Sequence, residues 1–574
     1  MKFPHLSKKK FDTFHNSVFV ERPSLLSDTI HQFNLQPVDH VSAINRPDSK
    51  PLKYSTKQMR ISKRNHALIS ERIGSSKALE YDINPFNNLF DGDRMSVTSG
   101  KSDMVTELEA YLKEEHWLEP ISSSVLIVDF MSFVRSQNIR AYKNTDFKTL
   151  ASFLFGRIFS QHTESAHIIF DSYHESSLKE CTRQSRAQSQ MHIAKIDDHT
   201  PLPKQMDRFW SSSSNKELFQ HYIRHQFQIL AEQSGKEMIV SGMLVKGNQD
   251  PALYCCSRGS AECIPELQCN IEEADQRLIK HIHWAGAQGF SSFTVESKDT
   301  DVLVLLVHYF KRFKESGVTK IWQSLGTGAN KRKLPIHTLY QRIPKPLRNV
   351  LLACFVGTGC DYISKVGTKH GAIAAFPEKN LDQFGTVNLN RKIISQAEEY
   401  LVNVLKNNAS ETTFDQLRLS QYNKHLDLMD LPPDSQSIRL GHIPRWWFIV
   451  KKLRSIHDET ELSLSPTDYG WIDIDGCLLP EKHLFLVPEG LQRTCDCNSK
   501  VKAKRCNGKK MPLQKETSEL HNILWMQEIM LKLIINYSTV WAIPKMHPSA
   551  GSSFEGMEQN EATSYRLQMP WGYS

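Results

Sequence analysis

The stretch that decides the fold begins with residues 271–288, IEEADQRLIKHIHWAGAQ, and ends with Ser297-Lys298-Asp299-Thr300-Asp301. Residues 271–288 are typical of a helix, because apolar side chains recur on one face at helical spacing. A short β-type run, residues 293–295, follows, and VLVLLVHYF after Asp301 is typical of a buried helix. The acids therefore leave the carboxyl end of a strand, where open α/β sheets bind ligands. The alternative is that Asp299 only caps a helix N-terminus.

Two earlier segments repeat this pattern of an apolar strand followed by an acid. Residues 124–130, SVLIVDF, carry Asp129 at the end of a continuous apolar run, as expected of a central parallel strand covered on both faces. Residues 167–171, HIIFD, do the same with Asp171. A predicted helix at 146–160 joins the two and makes a βαβ unit, so both acids should emerge at one sheet edge.

A further acid follows a predicted buried helix at 346–356, in Gly357-Thr-Gly-Cys-Asp361-Tyr. Carboxylates that converge on one edge raise one another's pKa unless a divalent cation neutralises them, and oxygen ligands favour Mg²⁺ or Mn²⁺. Two such ions would form the clamp used for in-line attack on a phosphodiester. The collected candidates are Asp129, Asp171, Glu272, Glu273, Asp275, Asp299, Asp301 and Asp361.

Two other segments are candidates for nucleic-acid binding. Lys179, Arg183 and Arg186 are spaced along one predicted helix, which is either an ordinary solvated face or a phosphate-contacting helix. The glycine-rich turn Gly367-Thr-Lys369-His-Gly371 could present backbone amides to a phosphate where it opens a helix. Between these segments, residues 238–242 lead into a cysteine-rich loop.

Composition limits the class of protein. The 574 residues allow roughly two to four domains, and 40% hydrophobic and 23% charged residues fit a soluble globular protein. The longest apolar runs are too short to span a bilayer, and we see no secretory signal. Eleven cysteines without framework spacing favour an intracellular, reducing compartment. The net charge of +8 permits a polyanionic partner, and the basic runs Lys331–Lys333 and Lys500–Lys510 suggest the nucleus.

The order of these motifs resembles the flap endonuclease/XPG-like branch of the PIN domain nucleases over about residues 121–376. The resemblance implies an α/β, Rossmann-like PIN domain with a central, mostly parallel sheet flanked by helices, and Mg²⁺-dependent cleavage of DNA or RNA. It selects Glu273 over Glu272, which helical geometry would pair with Asp275. The implied two-ion ligands and catalytic residues are Asp129, Asp171, Glu273, Asp275, Asp299, Asp301 and Asp361. The implied nucleic-acid contacts are Lys179, Arg183, Arg186, Gly367, Lys369 and Gly371, the last three in a helix–hairpin–helix.

The C-terminal half resembles uncharacterised animal proteins in which a PIN-like domain precedes a tesmin-like cysteine module. Cys495, Cys497 and Cys506 are what remains of that module here. We do not expect zinc at these cysteines, because a fourth ligand is missing unless Cys477, His483 or His521 supplies it. We expect neither a small-molecule cofactor nor a membrane partner.

The predicted organisation has five parts: a weakly ordered extension, 1–115; the nuclease-like domain, 116–376; a helical region, 377–460; a small β segment with the basic cysteine stretch, 461–511; and a helix with a polar tail, 512–574. The predicted function is divalent-metal-dependent phosphodiester hydrolysis on DNA or RNA. The alternative is a catalytically degenerate PIN-like module that binds nucleic acid or protein, and derivation from a mobile element is a further alternative. This chain lacks the glycine that commonly follows the first acid in flap endonucleases, and about 120 residues precede that strand, so threading of a flap is not expected.

Overall fold

The computed structural model describes residues 56–81, 88–91, 94–96, 100–117, 124–137, 139, 145–159, 165–172, 178, 191–242, 254–257, 260–375, 381–423, 428, 430–457, 464–474 and 477–482. Most of them form one α/β body and the helices packed on it.

An eight-stranded sheet organises the α/β body, in the order β10-β9-β8-β3-β4-β5-β6-β7. The strands from β9 to β5 are parallel, whereas β10 at one edge and β6 and β7 at the other are antiparallel. The predicted α/β class, with a mostly parallel central sheet, is therefore confirmed. The strands are β3 (Val125–Asp129), β4 (Ser165–Ile169), β5 (Glu237–Ser241), β6 (Tyr254–Ser257), β7 (Ser260–Cys263), β8 (Ser292–Glu296), β9 (Lys320–Leu325) and β10 (Arg332–Pro335). Two small hairpins lie outside this sheet, β1 (Phe90–Asp91) with β2 (Arg94–Met95), and β11 (Trp471–Ile474) with β12 (Cys477–Pro480).

The helices follow the predicted positions closely. The pair that joins β3 to β4 includes the predicted helix at 146–160, and the helix after residue 271 begins only at Ala274. In chain order they are α1 (Thr56–Ile73), α2 (Ser75–Ala78), α3 (Ser102–Glu109), α4 (Glu114–Trp117), α5 (Phe130–Ser136), α6 (Phe147–Phe159), α7 (Met206–Trp210), α8 (Ser213–Ser234), α9 (Ala274–Ala287), α10 (Thr300–Glu315), α11 (Ile336–Arg342), α12 (Lys345–Gly357), α13 (Lys369–Ala374), α14 (Arg391–Leu405), α15 (Phe414–Asn423) and α16 (Ile443–Arg454).

Two hydrophobic cores cover the sheet. One contains aromatic and aliphatic side chains of α5, α6 and α8, and the other contains those of α9, α10, α12, α14 and α16. Every residue of β3 is buried, as the continuous apolar run predicts for a strand with helices on both faces. Burial of apolar surface on this scale is the main favourable term in folding.

The C-terminal helices share the second core with the sheet. The Trp446 indole of α16 is fully buried and donates a hydrogen bond to the carbonyl oxygen of Ala353 in α12 at 2.8 Å. Arg445 donates to the carbonyl oxygens of Gly470 and Glu481 at 2.9 Å each, which attaches the β11–β12 hairpin. The predicted helical region 377–460 is thus part of the same packed body as the α/β domain.

The N-terminal region predicted to be weakly ordered contributes one core helix. Met104, Val105 and Leu108 of α3 are buried in the second core. Residues 102–109, whose apolar residues recur at helical spacing, thus pack against the helices beside β8, while residues 1–55 of the predicted extension lie outside the described residues. Among the described helices, none is both long enough and apolar enough to cross a lipid bilayer.

Candidate active site

Three adjacent strands bring carboxylates to one edge of the sheet. Asp129 is the last residue of β3, and Asp171 and Asp299 follow the ends of β4 and β8 within a few residues. Because β3 lies between β4 and β8 and is parallel to both, these acids leave the same edge, as the strand-then-acid pattern predicts. We call Asp129, Asp171 and Asp299 the strand-end carboxylates.

Asp129 is the innermost of the strand-end carboxylates. Its residue surface is 5% exposed, and burial raises its pKa to about 8, with the nearby charges of Asp171 and Asp299 adding to the effect. Two hydrogen bonds act in the opposite direction. Asp129 accepts from the backbone N–H of Ser132 and from the hydroxyl of Ser297, both at 3.1 Å. A bound cation would offset the repulsion by Asp171 and Asp299 that adds to this rise in pKa.

Residues that the sequence did not single out fix the loop that carries Asp299. The side-chain amide of Gln323 is fully buried and donates to the carbonyl oxygens of Ser297 and Asp299 at 3.1 Å each. The Ser132 hydroxyl accepts from the backbone N–H of Lys298 at 3.3 Å. These contacts attach the loop that carries Asp299 to β9 and to α5. The sequence signal for Gln323 is a polar residue within an otherwise apolar stretch, and a polar side chain that is buried needs such partners.

The start of α9 is joined to the end of β4. The backbone N–H of Ala274 donates to Asp171 Oδ1 at 3.0 Å, and that of Ser172 donates to the carbonyl oxygen of Glu272 at 2.7 Å. Glu273 is the N-cap residue of α9 and is buried, and Asp275 lies in the first helical turn. The helix thus begins after Glu273, so the helical-spacing argument for Glu272 does not apply.

The other two acids, Asp301 and Asp361, are held together by a lysine. The Lys101 ammonium lies 3.1 Å from Asp301 Oδ1 and 2.9 Å from Asp361 Oδ1. Burial lowers the pKa of Lys101, but the carboxylates of Asp301 and Asp361 outweigh it and raise that pKa above its usual range. The sequence-based list of site residues did not contain Lys101.

The candidate residues therefore form two groups rather than one. Within the part of the chain that the structure describes, no three His, Cys, Asp or Glu side chains are arranged closely enough to hold a metal ion. The strand-end carboxylates nevertheless have the oxygen chemistry that suits Mg²⁺ or Mn²⁺, and their mutual repulsion favours a cation there. Asp301 and Asp361 instead share an ammonium ion.

No protein-family model, curated protein or solved structure matches this chain. We therefore infer function from the site itself.

The glycine-rich turn at 367–371 has an internal structural role. A Cβ on Gly367 would lie 2.5 Å from Val404 Cγ1, and one on Gly371 would lie 2.7 Å from the Val404 carbonyl oxygen. Gly367 also has a positive φ of 70°. The glycines are thus required for close packing of α13 against α14, and this packing is a sufficient reason for their presence.

Lys369 is also buried and bonds to protein atoms in the interior. Its residue surface is 1% exposed, and its ammonium donates to the carbonyl oxygens of Phe355 and Gly359 and to the hydroxyl of Thr358. It thereby caps the C-terminal end of α12. In this conformation the ammonium is buried against protein acceptors, which does not favour the predicted contact of Lys369 with nucleic acid, and that contact stays a prediction.

The remaining predicted contacts lie outside the described residues. They are the basic residues Lys179, Arg183 and Arg186, and the tail cysteines Cys495, Cys497 and Cys506. The phosphate-contacting helix and the expected lack of zinc at the tail both stay predictions.

Proposed function

We propose that this protein is a divalent-metal-dependent nuclease of the PIN/flap-endonuclease type that hydrolyses phosphodiester bonds in DNA or RNA. The observation that supports it most is the meeting of Asp129, Asp171 and Asp299 at the carboxyl ends of three adjacent parallel strands, with the pKa of Asp129 raised by burial and by its two neighbours. A buried carboxylate with a strongly perturbed pKa at such an edge is characteristic of a functional site. The order of the motifs supports the assignment to the PIN class.

The strand-end carboxylates would hold the metal ion, with Glu273 and Asp275 of α9 beside them. A bound Mg²⁺ or Mn²⁺ would supply an acidic water and a positive charge next to the phosphate. Ser132 and Ser297 orient Asp129 through hydrogen bonds at 3.1 Å. Gln323 holds the backbone carbonyl groups of Ser297 and Asp299 in place. These neutral partners position the ligands without competing for the cation.

The substrate class and the location of the protein follow from the same proposal. A nucleic-acid substrate brings phosphates to an acidic edge, so basic residues near that edge are needed to bind it. Lys179, Arg183 and Arg186, which follow Asp171 in sequence, would provide that contact. We place the protein inside the cell, and the basic run at 331–333 favours the nucleus.

The test is cleavage of labelled flap, hairpin and single-stranded DNA and RNA with Mn²⁺, Mg²⁺ or EDTA. We expect metal-dependent cleavage by the wild type and a loss of at least about 100-fold in Asp129→Asn and Asp299→Asn. Asp382→Asn, which makes the same change at an exposed aspartate, should cleave at the wild-type rate. Equal cleavage by all four proteins would refute the proposal.

A second candidate function is a binding module without catalysis. It is favoured by the Lys101 ion pairs with Asp301 and Asp361 and by the lack of a closed three-ligand group in the described part of the chain. A binding module would retain the same affinity for nucleic acid in EDTA and in Mn²⁺, whereas the nuclease would turn over only with the metal. Fluorescence anisotropy in EDTA and in Mn²⁺, read beside the cleavage assay above, separates the two.

A further inference from the structure

Lys101 lies where a second metal ion would be expected from the sequence pattern. Its ammonium nitrogen is within 3.3 Å of three carboxylate oxygens, two of Asp301 and one of Asp361. These acids come from two elements far apart in the chain, the first turn of α10 and the turn after α12. Both are among the acids that the sequence assigned to a pair of divalent ions.

We propose that Lys101 is a built-in cation that takes the place of the second divalent ion, so that the site binds a single Mg²⁺ or Mn²⁺ at the strand-end carboxylates. This inference depends on the proposed nuclease function and specifies its metal requirement. It makes Asp301 and Asp361 partners of a side chain rather than ligands of a metal.

The position of Lys101 is fixed by the helix that it precedes. Met104 and Leu108 of α3 are fully buried in the core, so the backbone next to Lys101 cannot move away without exposing them. Gly100 has a φ of 91°, and a Cβ there would lie 2.7 Å from Asp103 Oδ2, so this tight entry into α3 needs glycine. The packing of α3 therefore fixes the position of the backbone that carries the Lys101 side chain.

Two further ion pairs attach α3 to its neighbours. Glu109 Oε1 pairs with the Arg332 guanidinium of β10 at 2.7 Å, and Glu107 Oε1 pairs with His370 Nδ1 of α13 at 2.7 Å. The Lys101 side chain itself is 26% exposed, and those of Asp301 and Asp361 are 19% and 31% exposed. The three charged groups are thus only partly buried, and water reaches part of each of them.

The two kinds of cation differ in what they can do at this position. An ammonium ion donates up to three hydrogen bonds and carries one charge, whereas a divalent ion coordinates oxygens at about 2.0–2.1 Å and acidifies its bound water. Lys101 offsets part of the negative charge of Asp301 and Asp361 through three hydrogen bonds, and it leaves activation of water to the ion at the strand ends. The rate of cleavage by such a protein depends on the metal concentration to the first order when the metal site is not saturated.

The decisive measurement is the number of Mn²⁺ ions bound per full-length chain, by isothermal titration calorimetry. We expect one ion in the wild type and two in Lys101→Met, which frees Asp301 and Asp361 for a metal. Lys101→Arg keeps the positive charge and should bind one ion. Lys311→Met, the same substitution at a lysine whose side chain is 79% exposed, should also bind one.

The second arm uses Asp361→Asn and remains informative if Lys101→Met fails to fold. In the wild-type background, Asp361→Asn should leave the single ion in place, because Asp361 is not its ligand. In the Lys101→Met background it should remove the second ion. If the wild type bound two ions and the single variant Asp361→Asn bound one, the inference would be overturned.

The outcomes separate this inference from the proposed function. Two ions in the wild type, or one in both the wild type and Lys101→Met, would refute the role of Lys101 and leave the nuclease intact. No ion in the wild type but one in Lys101→Met would support the role of Lys101 and refute the strand-end site. No ion in either protein would refute both.

Discussion

A pair of buried histidines under the sheet makes the stability of this protein sensitive to mild acid. His167 of β4 and His281 of α9 are each 1% exposed, and their Nδ1 atoms lie 3.1 Å apart. His281 Nε2 also lies 2.9 Å from the Ser241 hydroxyl. One Nδ1 must donate and the other accept, so at least the accepting ring is neutral, and burial of both rings favours the neutral form of each.

Burial lowers the pKa of His167 to about 3 and lowers the pKa of His281 well below its usual value, the latter also because of the neighbouring His167. In the unfolded chain each ring takes up a proton below about pH 6.5, while the folded chain does not. The unfolded state therefore binds more protons as the pH falls, and stability is lost from about pH 6.5 downward.

The size of the effect follows from that difference. Between pH 7.5 and pH 5.0, each histidine that stays neutral in the fold costs about 2 kcal/mol of the free energy of unfolding. The pair thus accounts for about 4 kcal/mol, a large share of the roughly 5–15 kcal/mol typical of a folded protein. Other buried histidines add to the wild-type loss, so the pair must be isolated by substitution.

The assay is urea denaturation of the metal-free protein at pH 7.5 and pH 5.0, followed by tryptophan fluorescence. His281→Gln should reduce the loss of stability between the two pH values by about 2 kcal/mol, and His167→Gln/His281→Gln by about 4 kcal/mol. Each variant is compared with itself at two pH values, so the cost of the substitution cancels. His199→Gln, at an exposed histidine, should show the full wild-type loss. An unchanged loss in the double variant would refute the reasoning.

Three further predictions concern other parts of the structure. Asp129→Asn should stabilise the metal-free protein more at pH 9 than at pH 6, by on the order of 2 kcal/mol as measured by urea denaturation. The reason is that the raised pKa of Asp129 makes ionisation of this carboxyl costly in the folded state. An equal effect of the substitution at both pH values would contradict this. Gly357→Ala should lower stability by about 1–3 kcal/mol, since its Cβ would lie 2.5 Å from the Trp446 ring; an unchanged melting temperature would exclude that clash. Lys369→Met should cost about 1–3 kcal/mol, because it leaves the buried acceptors at the end of α12 without their donor, and calorimetry measures it.

The strands and acids at the sheet edge could be predicted because the information is local. In residues 125–129, a continuous apolar run and the acid that ends it stand next to each other, and the structure has β3 there with Asp129 as its last residue. The parallel pairing of β3 with β4 then follows from the helical connection between them. The same reasoning placed β8 and the start of α10 correctly.

The antiparallel strands β6 and β7 were not predicted, and the reason is physical. Residues 254–257 pair with residues 260–263 as β6 and β7, although their cysteines and serines lack the alternation of a half-buried strand. Their ladder with β5 is made by backbone hydrogen bonds, which leave no periodic mark in the side chains. The connection of only two residues, Arg258-Gly259, between the strands was the available hairpin feature.

The contrast between Lys101 and the acids that surround it shows where local sequence reasoning ends. Asp301 and Asp361 are recognisable because each follows or begins a regular element, but their counter-charge comes from a residue 200 positions before Asp301. A single lysine before a helix looks like any solvated lysine, and its partner is set by how α3 docks into the core. Carboxylates alone therefore predict that a cation is needed, while the identity of that cation, an ammonium ion or a metal, is decided by tertiary packing.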